Sequence, residues 1–188
     1  PSGVGKTTIE NQLLMTYRGR WFKAKSTTTR SPRGNDFEDR MYEFISEKKF
    51  NSLIKGRRFF FHMKSNYANG VRYGFTNAEI KRGIKSGNVI LLSAHASSMD
   101  FMREKFTKMN VKTVSIFLLP PSVKELKRRI ESRGTEGASE AKRRLDNAQA
   151  ELDLAKLYDY KIVCANPVDV IKQIDDIVCQ ASQKKSEE

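Results

Sequence analysis

Pro1-Ser-Gly-Val-Gly-Lys-Thr-Thr8 runs directly into the apolar start of a helix at Ile9. It carries Gly-Lys-Thr at residues 5–7 with Gly3 ahead of it, the pattern of a phosphate-binding loop. Each residue type has a task. Glycines let successive backbone amides turn inward as an anion nest, and the helix that follows presents its positive end to the same anion. Lys6 reaches the outer phosphates, and the Thr7 hydroxyl is a magnesium ligand. Ser2, Gly3, Val4, Gly5, Lys6, Thr7 and Thr8 are therefore the candidate phosphate-binding residues. The motif's opening glycine is missing, so the chain is expected to begin one residue inside the pattern and without the strand that normally precedes it. An upstream extension is then expected to raise stability or activity.

Outward from the loop, buried-strand runs at Asn88–Ser93, Thr113–Leu119 and Tyr160–Cys164 are apolar on both faces, and helical segments lie between them. Thr76 with Glu79 and Ser122 with Glu125 fit the capping box, in which two side chains satisfy each other's orphan backbone donors. Asn166-Pro167 is a cap followed by proline at the first helical position, and Ser46 with Gly56 brackets a helix over Glu47–Lys55. Between Ser139 and Leu157, Ala141, Leu145, Ala148, Leu152 and Ala155 recur at spacings of four and three, the stripe of a long half-buried helix. Buried strands alternating with helices predict an α/β fold with a parallel sheet covered on both faces. The stretch from Ser26 to Gly74 interrupts that alternation and is expected to form an inserted lobe.

Composition narrows the function classes. The 188 residues hold 35 Lys and Arg against 22 Asp and Glu, a net charge of +13 that favours an anionic partner. No recognition-helix, zinc or RNA-binding signature points to a specific nucleic acid. The longest apolar runs, Val89–Leu92 and Ile116–Leu119, fall far short of the roughly 20 residues a membrane helix needs. Cys164 and Cys179 sit without metal-ligand spacing and read as reduced thiols, which makes a cytoplasmic protein the default expectation. His62 and His95 lack the Cys or carboxylate cluster of a metal site.

With the loop in place, further segments fall into order. Thr27-Thr-Thr-Arg-Ser-Pro-Arg, Tyr42-Glu-Phe, Tyr73-Gly, Phe117-Leu-Leu-Pro-Pro-Ser, Arg133-Gly-Thr-Glu, Arg144-Leu, Ala150-Glu-Leu and Tyr158-Asp-Tyr resemble the guanylate kinase family in order and spacing, over about residues 1–175. The resemblance implies a P-loop NTPase-type fold, the cofactors ATP and Mg2+, and transfer of the γ-phosphate of ATP to a nucleoside monophosphate, GMP first. It divides a single domain over 1–180 into a core (1–24, 76–130 and 150–180), an acceptor-binding lobe (25–75) and a helical lid (131–149), with a tail at 181–188.

By the same resemblance Ser26, Arg30, Arg33, Tyr42 and Tyr73 grip the acceptor phosphate. Guanidinium forks with hydroxyl donors make a dianion site that lysine does not reproduce. Arg129, Arg133 and Arg144 stand where lid and core arginines surround the transferring group, and Lys6 and Arg30 complete the catalytic set. Lys127, Arg128, Lys142 and Arg143 read as solvated neighbours. The chain departs from the family where the base is read. Phe61 stands for a glutamate, Phe75 for a serine or threonine, and Ser93 and His95 for aspartates, while Asn66 or Asn69 is placed to fill the vacated space. Ser93 and His95, at a strand end, are expected to approach the acceptor. Two alternatives stand beside GMP phosphorylation: a ribose 1,5-bisphosphate phosphokinase or another acceptor, and a non-catalytic guanylate-kinase-like interaction module. The sequence leaves the oligomeric state open.

Overall fold

The computed structural model describes residues 1, 3–34, 39–65, 70–132 and 138–183, without the side chains of 138–141 and 144. The chain forms two compact units, Pro1–Leu13 with Ser93–Glu188, and Leu14–Leu92. The fold is mixed α/β, with parallel strand pairs in both units.

The 14–92 unit begins in the second half of helix α1 (Lys6–Thr16). Strands β1 (Trp21–Lys23) and β6 (Val89–Leu91) pair in parallel, Phe22 beside Ile90. Helix α3 (Asn77–Lys85) lies close over them: a Cβ on Gly83 would stand 3.0 Å from both Phe22 Cδ1 and Ile90 Cδ1, so only glycine permits this approach without displacement. A four-stranded sheet follows the order β3-β2-β5-β4, with β2 at Ser26–Thr28, β3 at Tyr42–Phe44, β4 at Phe59–Lys64 and β5 at Arg72–Thr76. Its β2–β3 pair is parallel and the other two are antiparallel. Helix α2 (Glu47–Lys55) plants the fully buried Phe50 ring 4.5 Å from Phe59. Its ends are those the sequence predicts: Ser46 Oγ accepts from the Lys49 amide and Gly56 closes the C-terminus.

The other unit holds the remaining parallel pair, β7 (Ile116–Leu119) and β8 (Tyr160–Val163). Asp159 ties their entries together: its carboxylate accepts from the amide and hydroxyl of Ser115 at 2.8 and 2.7 Å, and from Arg103 of helix α4 (Met99–Lys108) at 3.0 Å. Helix α5 (Val123–Glu131) packs Leu126 and Ile130 against Ala148 and Leu145 of helix α6 (Ala138–Asp153). Helix α7 (Pro167–Gln183) starts at the expected proline, where Asn166 Oδ1 accepts from the Val168 amide.

Three expectations change in detail. The helix read through Leu157 ends at Asp153, and Leu154–Leu157 tighten into a 3-10 turn that carries Ala155 into a cluster with Phe117 and Ala96. None of the three strand runs is buried on both faces: β6 is half-buried throughout, β7 buries Phe117 alone, and β8, which among the described residues pairs only with β7, turns Ile162 alone inward and leaves Tyr160 and Val163 40% and 51% exposed. Both capping boxes form only their hydroxyl half. Thr76 and Ser122 accept from the Glu79 and Glu125 amides, but the Glu79 carboxylate goes to the Lys25 amide and Arg82, and that of Glu125 to Arg128 and Arg129.

Candidate active site

In the first unit, Gly3 and Gly5 adopt φ of +80° and +103°, a backbone that side chains rarely tolerate. The turn between them buries Val4, and the Gly5 carbonyl accepts the first helical bond of α1, from the Ile9 amide at 3.1 Å. Lys6 opens α1 and curls its ammonium back over the loop to the Pro1 carbonyl at 2.7 Å, with Thr7 and Thr8 next in the first helical turn. Ser2 lies outside the described residues.

Helix α5 supports this loop from below. A Cβ on Gly3 would meet Ile130 Cγ1 at 2.8 Å, so the glycine is required by space as well as by its dihedral angle. Arg129 reaches the loop with Nη1, donating to the Val4 carbonyl at 3.2 Å, while its Nε donates to Glu125 at 2.7 Å. Arg128 grips the same carboxylate through two nitrogens, both at 2.8 Å, and together the two arginines hold Glu125 down to about 2. Arg133 lies outside the described residues, and Arg144 falls within α6 with its side chain outside them.

His95 and Ser93 follow β6 in the loop that opens the second part of this unit. Ser93 is half-buried there, and the His95 ring is turned into the protein. Its Nδ1 accepts from the Ser97 amide at 3.2 Å, and its Nε2 stands 3.0 Å from Glu151 Oε1. Burial, then the nearby positive charge of Lys6, lowers the imidazole's proton affinity. Tyr158, whose hydroxyl lies 3.5 Å from the Ala96 carbonyl, is pushed up to about 12 by burial and then by the charges of Glu151 and Asp100. Cys164 carries a free thiol that burial pushes up.

In the 14–92 unit the sheet brings together most of the residues assigned to the acceptor phosphate. The β2–β3 register sets Ser26 beside Tyr42, and the β2–β5 register sets Thr28 beside Tyr73. The rings of Tyr42 and Tyr73 meet edge-on at 6.2 Å. The Arg30 guanidinium lies 5.1 Å from the Tyr42 ring and 5.3 Å from that of Phe44. Its Nη1 donates to the Ser31 carbonyl at 2.9 Å, and its Nη2 stands 3.6 Å from Asp39. That Nη2 is buried and has no hydrogen-bond partner among the described residues. Asp39 also accepts from the amides of Arg33 and Gly34, both at 3.1 Å. Ser26 Oγ makes a long bond of 3.4 Å to the Gly74 carbonyl.

On β4 and β5, Phe61 is half-buried opposite Phe75, which is buried, and Asn66 and Asn69 lie outside the described residues. Sequence reasoning did not single out Phe44, Asp39 or Glu151 as site residues. Phe44 and Glu151 stand inside motifs already quoted, whereas Asp39 carries no local signal. Among the described residues no group of His, Cys, Asp and Glu is assembled to hold a metal, and no helix is long and apolar enough to cross a membrane.

A family model described as guanylate kinase matches residues 1–181. A guanylate kinase of Wolbachia pipientis wMel is 34% identical over 190 residues, covering 100% of this chain and 90% of that protein. One from Prochlorococcus marinus subsp. pastoris is 33% identical over 180 residues, covering 95% and 92%. The crystal structure of guanylate kinase from Anaplasma phagocytophilum superposes with a TM-score of 0.71 at 26% identity, covering 93% of this chain and 81% of that one.

Proposed function

The chain belongs to the guanylate kinase family, and from that premise we propose how its residues divide the transfer of the γ-phosphate of ATP to GMP, which yields ADP and GDP. Phosphoryl transfer asks for little acid or base chemistry. It asks for two anions held in line and for positive charge on the equatorial oxygens of the moving group.

On the donor side the loop from Pro1 to Thr8, Ser2 included, cradles the ATP phosphates. Its two left-handed glycines shape the turn, and Lys6 exchanges the Pro1 carbonyl for phosphate oxygen. Thr7 offers one neutral hydroxyl at the helix start, a donor set that fits magnesium, which keeps waters and takes substrate phosphate oxygens in place of a full protein cage. Bound there, the ion supplies positive charge against the phosphates. Arg129 braces the loop at Val4 and turns guanidinium charge toward it. Arg133 and Arg144 complete the charge from a lid over 131–149, and lid closure excludes water.

On the acceptor side the lobe 25–75 grips the monophosphate through Arg30, Arg33, Tyr42, Tyr73 and Ser26. The observation that carries this reading is the buried Arg30 Nη2, which lies against the Tyr42 and Phe44 rings, 3.6 Å from Asp39, and has no hydrogen-bond acceptor among the described residues. Buried donors are nearly always satisfied, and a phosphate oxygen satisfies this one.

A coupled ADP-release assay over GMP, dGMP, AMP, UMP, CMP and ribose 1,5-bisphosphate tests the reading. GMP should exceed the others at least tenfold in kcat/KM, a margin of about 1.4 kcal/mol. Arg30→Lys, which loses the planar fork, should raise the GMP KM by about 10- to 100-fold and leave the ATP KM within about twofold. ATP binding without turnover of any acceptor would overturn the kinase reading, and an unchanged GMP KM in R30K would overturn the assignment of Arg30.

A further inference from the structure

His95 and Glu151 form a buried pair that the transfer reaction, as described, does not use. The two side chains are 12% and 7% exposed, and their contact joins segments 56 residues apart. The ring's hydrogen bonds fix its role. Nδ1 accepts the Ser97 amide that opens the 3-10 turn Ala96–Ser98, and it lies 2.8 Å from Ser97 Oγ. Nε2 is then the nitrogen that bears hydrogen, and it donates to Glu151 Oε1 at 3.0 Å. The backbone after the ring is pinned as well, since the carbonyl of His95 accepts from Ser98 Oγ at 2.6 Å. The imidazole is therefore a rigid post, and the object it holds is the last turn of α6.

What α6 carries gives the contact its meaning. Arg144 stands on the same helix, seven residues or about two turns before Glu151. Between them Ala148 is buried against Leu126 and Ile130 of α5, the helix whose Ile130 seats Gly3 of the phosphate loop. Apolar contact through Ala148 and the half-buried Leu145 sets the distance between the helices, with no directional bond against rotation or sliding. A directional hydrogen bond to a buried carboxylate one turn further on resists both.

We propose that His95 is a positioning residue of the phosphoryl transfer, setting through Glu151 the rotation and axial position of α6, and with it Arg144, against the phosphate loop. This rests on the kinase reading for its kinetic consequence. The contact itself lies within one compact unit and is testable apart from that reading. It also gives His95 a task different from touching the acceptor.

The test compares His95→Ala and His95→Gln, the latter able to present an amide N–H toward Glu151, alone and with Arg144→Ala. H95A should lower kcat about tenfold with the GMP and ATP KM values within about threefold, the signature of misplaced transition-state charge. H95Q should recover most of that loss. In the R144A background the same H95A change should cost less than about twofold, because the residue through which it acts is gone. Hydrogen exchange supplies a second readout independent of turnover: residues 145–153 should lose protection in H95A and keep it in H95Q. Additive kcat losses, a GMP KM effect larger than the kcat effect, or unchanged protection in H95A would each overturn the proposal. A wild-type protein that binds ATP and phosphorylates no acceptor defeats the kinase reading instead, and the exchange experiment then still decides whether His95 sets α6.

Discussion

Gly3 and Gly5 share a left-handed backbone, yet their surroundings separate them. Replacing either by alanine forces a Cβ into the left-handed region at a cost of about 1–2 kcal/mol. At Gly5 nothing lies within 4 Å of the new methyl, so that strain is the whole structural effect. At Gly3 the methyl would stand 2.8 Å from Ile130 Cγ1 and 3.4 Å from Leu126 Cδ1, and both partners are almost fully buried. Neither can swing away, so overpacking adds about 1–3 kcal/mol. The two variants should therefore differ in stability by that second quantity, which in a protein of this size is about 2–12 °C in Tm. Urea unfolding with matched slopes measures it directly. The assay is sharpened by Ile130→Ala, which removes the clashing atom. Alone it should cost about 2–5 kcal/mol through the cavity it leaves, but in G3A the new methyl occupies part of that space. The double-mutant cycle should show a favourable coupling of at least about 1 kcal/mol. Equal stabilities for G3A and G5A, or strict additivity of G3A with I130A, would refute the claim that α5 is the seat of the loop.

Glu125 gives a pH-dependent counterpart. Its folded-state carboxyl is held at about 2, below its ordinary 4.5, by hydrogen bonds from Arg128 and Arg129, so its stabilisation is complete above pH 4.5 and disappears as pH falls through about 2. Thermal melts of Glu125→Gln should accordingly lie below wild type at pH 7, with the gap closing between pH 4.5 and 2; a gap that persists or widens on acidification contradicts the assignment. Asp159→Ala should destabilise by about 2–4 kcal/mol in urea, because two donors of the buried Ser115 lose their acceptor at once. A change under about 1 kcal/mol would mean that the β7 and β8 entries are held by other contacts.

The features legible in the sequence are those fixed within a few residues. The loop and the caps at Ser46, Thr76, Ser122 and Asn166 are local arrangements, and each is present in the structure; the stripe read along Ser139–Leu157 is divided, Leu145 and Ala148 packing on α5 while Leu152 and Ala155 join Phe117. What escaped reading depends on partners far along the chain. A glutamate at the third helical position can return to its own cap or reach elsewhere, and tertiary neighbours decided it: Lys25 and Arg82 for Glu79, Arg128 and Arg129 for Glu125. Strand β1 is three residues long, too short for a period to show. Much the same holds in the candidate site. Arg30, Tyr42 and Tyr73 come from motifs, but the Asp39 carboxylate beside Arg30 and the Glu151 carboxylate beside His95 are products of folding.

The seating of Arg30 against the Tyr42 and Phe44 rings has a consequence for recognition. A long basic side chain ordinarily samples many rotamers and must surrender them when it captures an anion. Here that freedom has already gone into the native state, so an arriving monoester meets a receptor with little left to organise. Affinity at this position is thereby coupled to how firmly the aromatic flanks hold their shape, and loosening the Phe44 flank would weaken capture without removing a single charge.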